Sequence, residues 1–283
     1  MSERATSTAP NGGNGRTGGS SGSDLPTVRR VEALGFRAWP AANSLYDGSW
    51  LVRLTAGHPS RRLNSVNPLD RMDDGDLDTR IARITDRFSA YDRGVVFRQT
   101  PLSPPKLAGW LDEREWVTEG ETRIMLASTD ELGLDDAREQ IPLQDIGTFV
   151  EAALAVRGRG RSLKGGLTEV LTAIRPRRGM FVVSEGEEPV ATALCVHDGE
   201  YAGIFEVATR PDRRRRGLAR TVTRAALRWA RDNGAQRAWL QVESDNDAAL
   251  ALYGGQGFRE AYRYHYRAAP DSGGRLSLNE ELI

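Results

Sequence analysis

The sequence of 283 residues predicts an α/β fold in which a smaller N-terminal half precedes a larger C-terminal half. In the C-terminal half, segments with the two-residue alternation of strands take turns with segments that have the 3.6-residue period of helices, an order typical of α/β domains. The N-terminal half also mixes strand-like and helix-like segments. A content of 39% hydrophobic and 28% charged residues is ordinary for a globular protein of one large or two ordinary domains.

The first segment, residues 1–25, is rich in Gly, Ser, Thr and Asn and contains almost nothing apolar, so we expect a disordered tail. Residues 26–128 form the predicted N-terminal α/β half. Its predicted elements are a strand at 49–54, a helix from Leu77 to Tyr91, a strand at 95–99, a short helix at 105–114 and a strand at 122–127. The polar stretch 129–145 predicts a linker between the halves.

Residues 146–270 form the predicted C-terminal domain, followed by a C-terminal tail at 271–283. Its predicted elements are two helical stretches near 146–156 and 163–174, three β-rich runs within 180–209, a helix at 217–233, a strand at 237–243, a helix at 246–254 and an alternating strand at 258–268. The helix after Gly217 has the strongest support. Its apolar residues recur with helical period, and Gly234 stands where a left-handed C-terminal residue is expected.

Composition excludes several classes of protein. No stretch approaches the ~18 apolar residues that cross a bilayer, and the N-terminus lacks the layout of a secretory signal, so we expect a cytoplasmic protein without a membrane partner. The 39 basic and 39 acidic residues balance, so we expect no nucleic-acid partner. The single cysteine, Cys195, lies in an apolar run and is predicted to be a buried strand residue. No metal site is predicted.

Four consecutive arginines, residues 213–216, lead into Gly217 and the start of the predicted helix. The first turn of this helix contains no acidic residue. Helix N-termini expose unpaired N–H groups and a partial positive charge, so arginines there cost electrostatic energy unless an anion binds. Gly217 would let the backbone approach that anion closely. The alternative is a solvated arginine run at a strand-to-helix corner.

The wider pattern around this loop favours the anion site. Arg214-x-x-Gly217-x-Ala219 resembles the [QR]-x-x-G-x-[GA] signature of the GNAT superfamily of acyl-CoA-dependent N-acyltransferases. The upstream segment "EVATRP" resembles the strand that enters that loop. Downstream, "LQVESDNDAALALYGGQGF" resembles the superfamily's strand–Asn–helix–Tyr–GF segment, with Asn246, Tyr253, Gly257 and Phe258 in the matching places. The resemblance covers about residues 179–266 and implies a mixed central sheet of GNAT type.

The resemblance also implies acetyl-CoA as co-substrate and the residues that hold it. The backbone of Val207, Ala208 and Thr209 would pair with the pantetheine arm like an added strand. Asn246 would cap the following helix and contact the pantetheine. The residues implied at the pyrophosphate are Arg214, Arg215, Arg216, Gly217, Leu218, Ala219 and Arg220.

The catalytic groups implied by the resemblance are Tyr253 and, with less direct support, Glu206. Tyr253 matches a phenol that serves as general acid in many members, and the alternative is a packed helix tyrosine. A phenol with a pKa of ~10 donates a hydrogen bond to a thiolate, whose conjugate acid has a pKa of ~8.5, more readily than it gives up its proton.

The general base is not evident from the sequence. Ribosomal-protein acetyltransferases of the superfamily carry a catalytic Glu at the place of Gln241, and some other members carry a strand glutamate at the place of Gly203. Glu206 is the candidate base, and a structural role is its alternative. Glu243 is a weaker candidate, and His197 is predicted to be a loop residue. A missing strong base fits an acceptor amine of low pKa or a water relay.

The N-terminal half, with "RRLNSVNPLD" and "WLDEREWVTEGETRIML", resembles the degenerate GNAT-like half that precedes the active one in two-part bacterial GNAT proteins. Its tryptophans either line an acceptor pocket or belong to the core; these are Trp39, Trp50, Trp110 and Trp116. The predicted function is an N-acetyltransferase acting on the amine of a small molecule, amino acid or peptide N-terminus. The alternative is a non-enzymatic acyl-CoA-binding sensor.

Overall fold

A computed structural model describes residues 24–270, and most of the predicted N-terminal tail and all of the predicted C-terminal tail lie outside these residues. The helices are α1 Leu25–Ala38, α2 Leu77–Ser89, α3 Pro105–Glu113, α4 Ile146–Arg157, α5 Lys164–Ala173, α6 Leu218–Asp232 and α7 Asp247–Gln256. The strands are β1 Asn43–Asp47, β2 Trp50–Leu54, β3 Ser65–Pro68, β4 Val96–Gln99, β5 Val117–Ser128, β6 Arg177–Glu185, β7 Glu188–Asp198, β8 Tyr201–Thr209, β9 Arg237–Glu243 and β10 Arg259–Ala268.

The strands form one ten-stranded sheet in the order β1-β2-β3-β4-β10-β5-β9-β8-β7-β6. The β3–β4 and β8–β9 pairs are parallel and the other pairs are antiparallel, so the predicted mixed sheet is confirmed. β10, the last strand of the C-terminal half, lies between β4 and β5, so it is inserted between two strands of the N-terminal half. The division into ranges 26–128, 129–145 and 146–270 stays a prediction.

Two apolar cores cover the two faces of the C-terminal part of the sheet. Because successive strand residues point to opposite faces, Leu194 of β7 packs with α1, α4 and α5, while its neighbour Cys195 packs with α6 and α7. Cys195 is fully buried, as predicted, and burial raises the pKa of its thiol, which leaves it unreactive. A third core lies between α2, α3 and strands β2 to β4.

The predicted linker packs against the C-terminal part of the molecule. Leu132, Leu134 and Ala137 are buried in the core that contains α6. The Gln140 side chain donates a 2.7 Å hydrogen bond to the Val182 carbonyl, and the Leu143 N–H donates to the Met180 carbonyl at 2.7 Å. This segment is therefore held to β6 along much of its length. Across residues 24–270, no helix is long and apolar enough to cross a lipid bilayer.

The loop between β2 and β3, residues 55–64, carries polar groups into the molecule. Asn64 is buried; its Oδ1 accepts from the Thr55 N–H at 2.8 Å and its Nδ2 donates to the carbonyls of His58 and Ser60 at 2.8 and 3.0 Å. Helix α5 packs directly on this loop, since a Cβ at Gly166 would stand 2.0 Å from the Gly57 carbonyl oxygen. The loop is thus fixed against the C-terminal half.

Candidate active site

Strands β8 and β9 separate in the middle of the sheet. Their parallel pairing runs from Tyr201↔Arg237 to Ile204↔Leu240 and stops there, although both strands continue. β8 contains a register shift opposite Thr192/Leu194, where Glu206 adopts a left-handed φ of 50°. A bulge of this kind bends a strand and increases its twist. The backbone of β8 beyond Ile204 therefore has an edge that an extended ligand can pair with.

The backbone edge predicted to bind the pantetheine arm lies beside this gap. Val207 is buried, and Ala208 and Thr209 are half-buried at the end of β8. The Thr209 hydroxyl is buried and has no hydrogen-bond partner among the described residues. An unsatisfied buried hydroxyl costs free energy, so a ligand along this edge would be stabilised by pairing with it.

The predicted anion loop ends on the uncapped N-terminus of α6. Gly217 is the N-cap residue with φ 78°, it makes no side-chain cap, and the first turn contains no acidic residue. The backbone N–H groups of 215–220 donate no hydrogen bond to any residue in the range 24–270. A Cβ built on Gly217 meets no atom within 4 Å, so the space beside this residue is open. The donors and the open space fit a phosphate group.

The side chains of the arginine loop are only partly engaged. Arg213 and Arg216 each contact Glu185 at 3.0 Å, in ion pairs that are partly exposed. Arg214, Arg215 and Arg220 are exposed and form no ion pair with any described residue. Arg215 also has a left-handed φ of 63°. The loop therefore offers free positive charge around the helix start.

Tyr253 lies on α7, beneath the same part of the sheet. Asn246 caps this helix, its Oδ1 accepting from the Ala249 N–H at 3.0 Å. The Tyr253 ring is buried and packs edge-on against Phe258 with 5.9 Å between ring centroids. Burial raises the pKa of its phenol well above the usual value, while Thr223 and the positive charge of Arg157 oppose the shift. The hydroxyl is therefore a hydrogen-bond donor that does not ionise.

Glu206 forms a buried ion pair with Arg157, the last residue of α4. The guanidinium Nη2 lies 3.2 Å from the carboxylate, and both side chains are less than a tenth exposed. The Glu206 carbonyl also accepts from the Thr192 hydroxyl at 3.0 Å. The Arg157 guanidinium therefore occupies part of the carboxylate that an amine or a water would have to approach, which weakens the candidacy of Glu206 as base.

The two alternative base positions are occupied by residues without a carboxylate, Gly203 and Gln241. A Cβ at Gly203 would stand 2.7 Å from the Trp239 ring, so no side chain fits there. The Gln241 Oε1 accepts a 2.7 Å hydrogen bond from the Tyr264 hydroxyl. Glu243 is the last residue of β9. His197 lies within β7, paired with Arg177 and Ala202, so the prediction of a loop residue is wrong.

Two clefts meet beside the β8–β9 gap, and residues of the N-terminal half line both. The Glu206 cleft is lined by Trp39, His58, Arg62, Arg157, Arg159 and Glu206, among others. The Glu32 cleft is lined by Glu32, Trp39, Arg53, Arg62, Arg98 and Gln241, among others. Trp39 and Arg62 belong to both linings, so they lie where the clefts meet.

Of the four predicted tryptophans, Trp39 alone lines these clefts. It stacks on Phe205 of β8 with 5.8 Å between ring centroids. Trp50 is in the N-terminal core, and Trp110 and Trp116 pack on each other beside α2.

Five cleft residues were not predicted from the sequence: Arg53, His58, Arg62, Arg98 and Arg157. A usable signal for His58 and Arg62 was the polar stretch "TAGHPSRRLNS", which follows the apolar strand β2. Burial lowers the pKa of His58 to about 4, with Arg62, Arg159 and Arg93 adding to the effect and Glu206 opposing it. Its Nδ1 accepts from the Ser60 N–H at 3.2 Å, so the neutral ring carries its proton on Nε2.

Comparison with known proteins agrees with this geometry. Residues 26–267 match the family described as "Probable histone acetyltransferase Rv0428c C-terminal". The chain is 26% identical over 252 residues to an uncharacterized N-acetyltransferase, YobR, of Bacillus subtilis, covering 86% of this chain and 99% of that protein. The ribosomal protein bS18-alanine N-acetyltransferase of Escherichia coli K12 is 38% identical over 81 residues, which are 29% of this chain and 55% of that enzyme.

Solved structures share the fold. A GCN5-related N-acetyltransferase from Kribbella flavida superposes with a TM-score of 0.65 at 19% identity, covering 88% of this chain and 96% of that one. A tandem GNAT protein from the clavulanic acid biosynthesis pathway gives 0.58 at 13% identity, over 85% and 87% of the chains, and fits the two-part architecture. The chain belongs to the family described as "Probable histone acetyltransferase Rv0428c C-terminal", and it is a GNAT acyltransferase.

Proposed function

We propose that this protein transfers the acetyl group of acetyl-CoA to the primary amine of a small molecule, an amino acid or a peptide N-terminus. The observation that carries the proposal is the juxtaposition of an uncapped helix start, a gap between two parallel strands and a buried phenol. Phosphate, an extended thioester arm and a departing thiolate each require one of these three features.

The donor would be held mainly by backbone groups. The N–H groups of residues 215–220 and the exposed Arg214, Arg215 and Arg220 would bind the pyrophosphate, with Leu218 and Ala219 in the first turn of α6. The edge of Val207, Ala208 and Thr209 would pair with the pantetheine arm, and Asn246 would face it from the start of α7. Arg216 would contribute less, because Glu185 already neutralises it.

In the reaction, the amine nitrogen forms a bond to the acetyl carbon, the carbon–sulfur bond breaks, and one proton leaves the nitrogen. The Tyr253 hydroxyl donates a hydrogen bond to the departing thiolate. Its raised pKa means that it keeps its proton, so the thiolate is stabilised without a completed transfer. Glu206 is the proposed acceptor of the amine proton, directly or through water.

The pairing of Glu206 with Arg157 favours acceptor amines whose deprotonation at pH 7 costs little free energy. An amine with a pKa of ~10.4 must spend ~4.6 kcal/mol to be neutral at pH 7, whereas an α-amine near 7.8 needs only ~1 kcal/mol. A carboxylate that is already paired with Arg157 offsets little of the ~4.6 kcal/mol that the more basic amine requires. The proposal therefore prefers α-amines and other amines of low pKa to lysine side chains.

The test is an amine panel with detection of released CoA thiol, run on the wild-type chain and on Tyr253→Phe. We expect acetyl-CoA-dependent turnover with at least one α-amine. In Tyr253→Phe we expect kcat to fall by ~10²-fold while the dissociation constant of acetyl-CoA, measured by calorimetry, changes by less than about threefold, because the hydroxyl acts as charge develops on sulfur.

Val222→Ala, on a neighbouring buried position of α6, serves as a packing control. If Tyr253→Phe keeps full turnover, or loses affinity and turnover equally as a packing defect does, the assignment of Tyr253 is wrong. Tight acetyl-CoA binding without turnover on any amine would favour a sensor over an enzyme that uses these acceptors.

A further inference from the structure

The two clefts beside the β8–β9 gap carry an excess of positive charge. Among their lining residues are five arginines and two glutamates, Glu32 and Glu206. His58 adds no charge at pH 7, because its pKa is about 4. Each glutamate already has a buried arginine partner, Arg98 for Glu32 and Arg157 for Glu206.

Arg53 carries a positive charge that neither glutamate pairs with. Its guanidinium is buried and donates to the carbonyls of Arg62 and Trp39, which are neutral groups. Burial and the positive charge of Arg98 lower its pKa to about 9, so it remains protonated at pH 7. Its Nε is buried and has no hydrogen-bond partner among the described residues. A buried charge with only neutral partners is stabilised by any anion brought near it.

Arg62 carries a second positive charge that neither glutamate pairs with, and it lies where the two clefts meet. Its guanidinium carbon stands 5.4 Å from the centroid of the Trp39 ring, so the side chain is held over an aromatic face. It is half-buried, and no acidic side chain in residues 24–270 forms an ion pair with it. Trp39 itself is 2% exposed, and its Nε1 has no hydrogen-bond partner among these residues. A guanidinium and an unsatisfied N–H donor therefore occur on adjoining residues of both linings.

We propose that the acceptor amine belongs to a molecule with a carboxylate or similar anionic group, and that Arg62 binds this group where the Glu206 cleft meets the Glu32 cleft. The inference rests on the proposed function and names the substrate class for it. A planar guanidinium binds a carboxylate through two parallel hydrogen bonds, which fixes the orientation of the acceptor as well as its charge.

The same excess of positive charge disfavours a cationic acceptor. A lysine-rich protein tail would bring additional positive charge toward Arg53, Arg62 and Arg98, and like charges repel more strongly where water is excluded. An α-amino acid brings its own compensating anion. The surrounding cations also favour the neutral form of its amine, which is the nucleophile.

The experiment compares α-amino acids with their carboxamides as acceptors. Amidation removes the negative charge and lowers the pKa of the amine, so at pH 7 a larger fraction of the carboxamide is in the neutral, nucleophilic form. We expect the wild-type chain nevertheless to show kcat/KM at least ~10-fold higher for the free acid. Arg62→Met keeps the apolar stem over Trp39 and should lose ~30-fold in kcat/KM on the acid, mainly through KM.

Three comparisons separate anion binding from a structural role of Arg62. Arg62→Met should lose at least ten times more on the acid than on the carboxamide, and Arg62→Lys should recover part of that loss. Arg87→Ala, at an exposed position of α2 outside both clefts, should leave all values unchanged. Binding of N-acetyl amino acids and of their amides, measured by calorimetry with CoA present, gives the same comparison without turnover.

Equal kcat/KM for acids and carboxamides, equal losses on both in Arg62→Met, or a lysine-rich peptide as the best acceptor would each overturn the inference. If such a result comes with acetyl-CoA binding and turnover of carboxylate-free amines, only the substrate class is wrong. If acetyl-CoA itself does not bind, the proposed function fails as well. If acetyl-CoA binds but no amine is turned over, equal binding of N-acetyl amino acids and their amides overturns the inference.

Discussion

The chain contains two groups of arginines that differ in where they lie and in what surrounds them. Residues 213–216 are consecutive and mostly exposed at the start of α6. Arg53, Arg62 and Arg98 come from β2, the β2–β3 loop and β4, and lie in or beside the Glu32 cleft. The exposed group is visible in the sequence as a run, whereas the buried group exists only once the sheet has formed.

The two groups also use different atoms. In the exposed loop, Glu185 pairs with both Arg213 and Arg216, and the unsatisfied groups are backbone N–H donors around Gly217. In the buried group, Arg53 and Arg98 have their backbone in the sheet, and the guanidinium groups of all three arginines hold the charge. A loop of the first kind can bind phosphate whatever side chains it carries, while a cleft of the second kind depends on each arginine. The following changes test this contrast.

The largest effect is expected from Glu32→Gln in the buried group. Glu32 pairs with Arg98 and accepts a 2.6 Å hydrogen bond from the Tyr262 hydroxyl. Burial alone would lower the pKa of Arg98, but Glu32 and the neighbouring tyrosines raise it above its usual value. Losing the carboxylate leaves Arg98 buried without its ion-pair partner, and this should lower the free energy of unfolding by about 3–5 kcal/mol.

Denaturant unfolding of Glu32→Gln measures this loss. The double variant Glu32→Gln/Arg98→Met removes both charges and should recover part of it. A loss below about 1 kcal/mol in the single variant would mean that the buried pair is no stronger than a surface pair, and the contrast between the groups would disappear.

The second largest effect is expected at Gly217, where two variants of nearly the same shape differ in charge. Gly217→Asp and Gly217→Asn are nearly isosteric, both residues tolerate a left-handed φ, and both are favourable at an N-cap. The aspartate places a negative charge where phosphate is proposed to bind, so the dissociation constant of acetyl-CoA should rise by ~100-fold, equivalent to about 2.7 kcal/mol.

Calorimetric titration of both Gly217 variants with acetyl-CoA, alongside thermal melts, provides the measurement. The asparagine variant should change the dissociation constant by less than about tenfold, and neither variant should melt appreciably lower than the wild type. Similar affinities for the two variants would mean that the phosphate does not lie at this helix start.

The smallest effect is expected from Glu185→Gln, the exposed counterpart of Glu32→Gln. Its ion pairs with Arg213 and Arg216 are partly exposed, so the free energy of unfolding should change by less than about 1 kcal/mol. Freeing two arginines should lower the dissociation constant of acetyl-CoA about two- to threefold at low salt. That gain should vanish at ~0.5 M salt, because surface charges are screened. Weaker binding at low salt would show that Glu185 helps to shape the loop.

The sequence predicts elements best where the signal is local. The predicted helix at 217–233 is observed at Leu218–Asp232, and the strand at 237–243 at Arg237–Glu243, because each has a clear period and clear ends. Helix α1 was missed, although Val28, Val31, Leu34 and Ala38 have helical spacing and are buried. Strands β1 and β3 are short, at five and four residues, and their pairing rather than their sequence defines them.

The residues of the candidate site, too, were predictable only where the sequence signal is local. The arginine loop, Asn246 and Tyr253 occupy a continuous pattern in the sequence. Glu32 and Arg98 are 66 residues apart, and the Arg157–Glu206 pair joins the end of α4 to the bulge of β8. No periodicity in a single chain marks such partners, because they are brought together by strand order. The two clefts could therefore be found only from the structure.

The position of β10 has a consequence for how the chain acquires its structure during synthesis. β4 and β5 are separated by β10, which pairs with both and is made more than a hundred residues after either. During translation the first five strands are therefore synthesised before β10, the strand that links β4 to β5. The other partner of β5, β9, is also synthesised later. Contacts between such distant residues close slowly, and unpaired strand edges promote association with other chains. We therefore expect the nascent N-terminal half, before β9 and β10 are made, to be the stage of synthesis most prone to association with other chains.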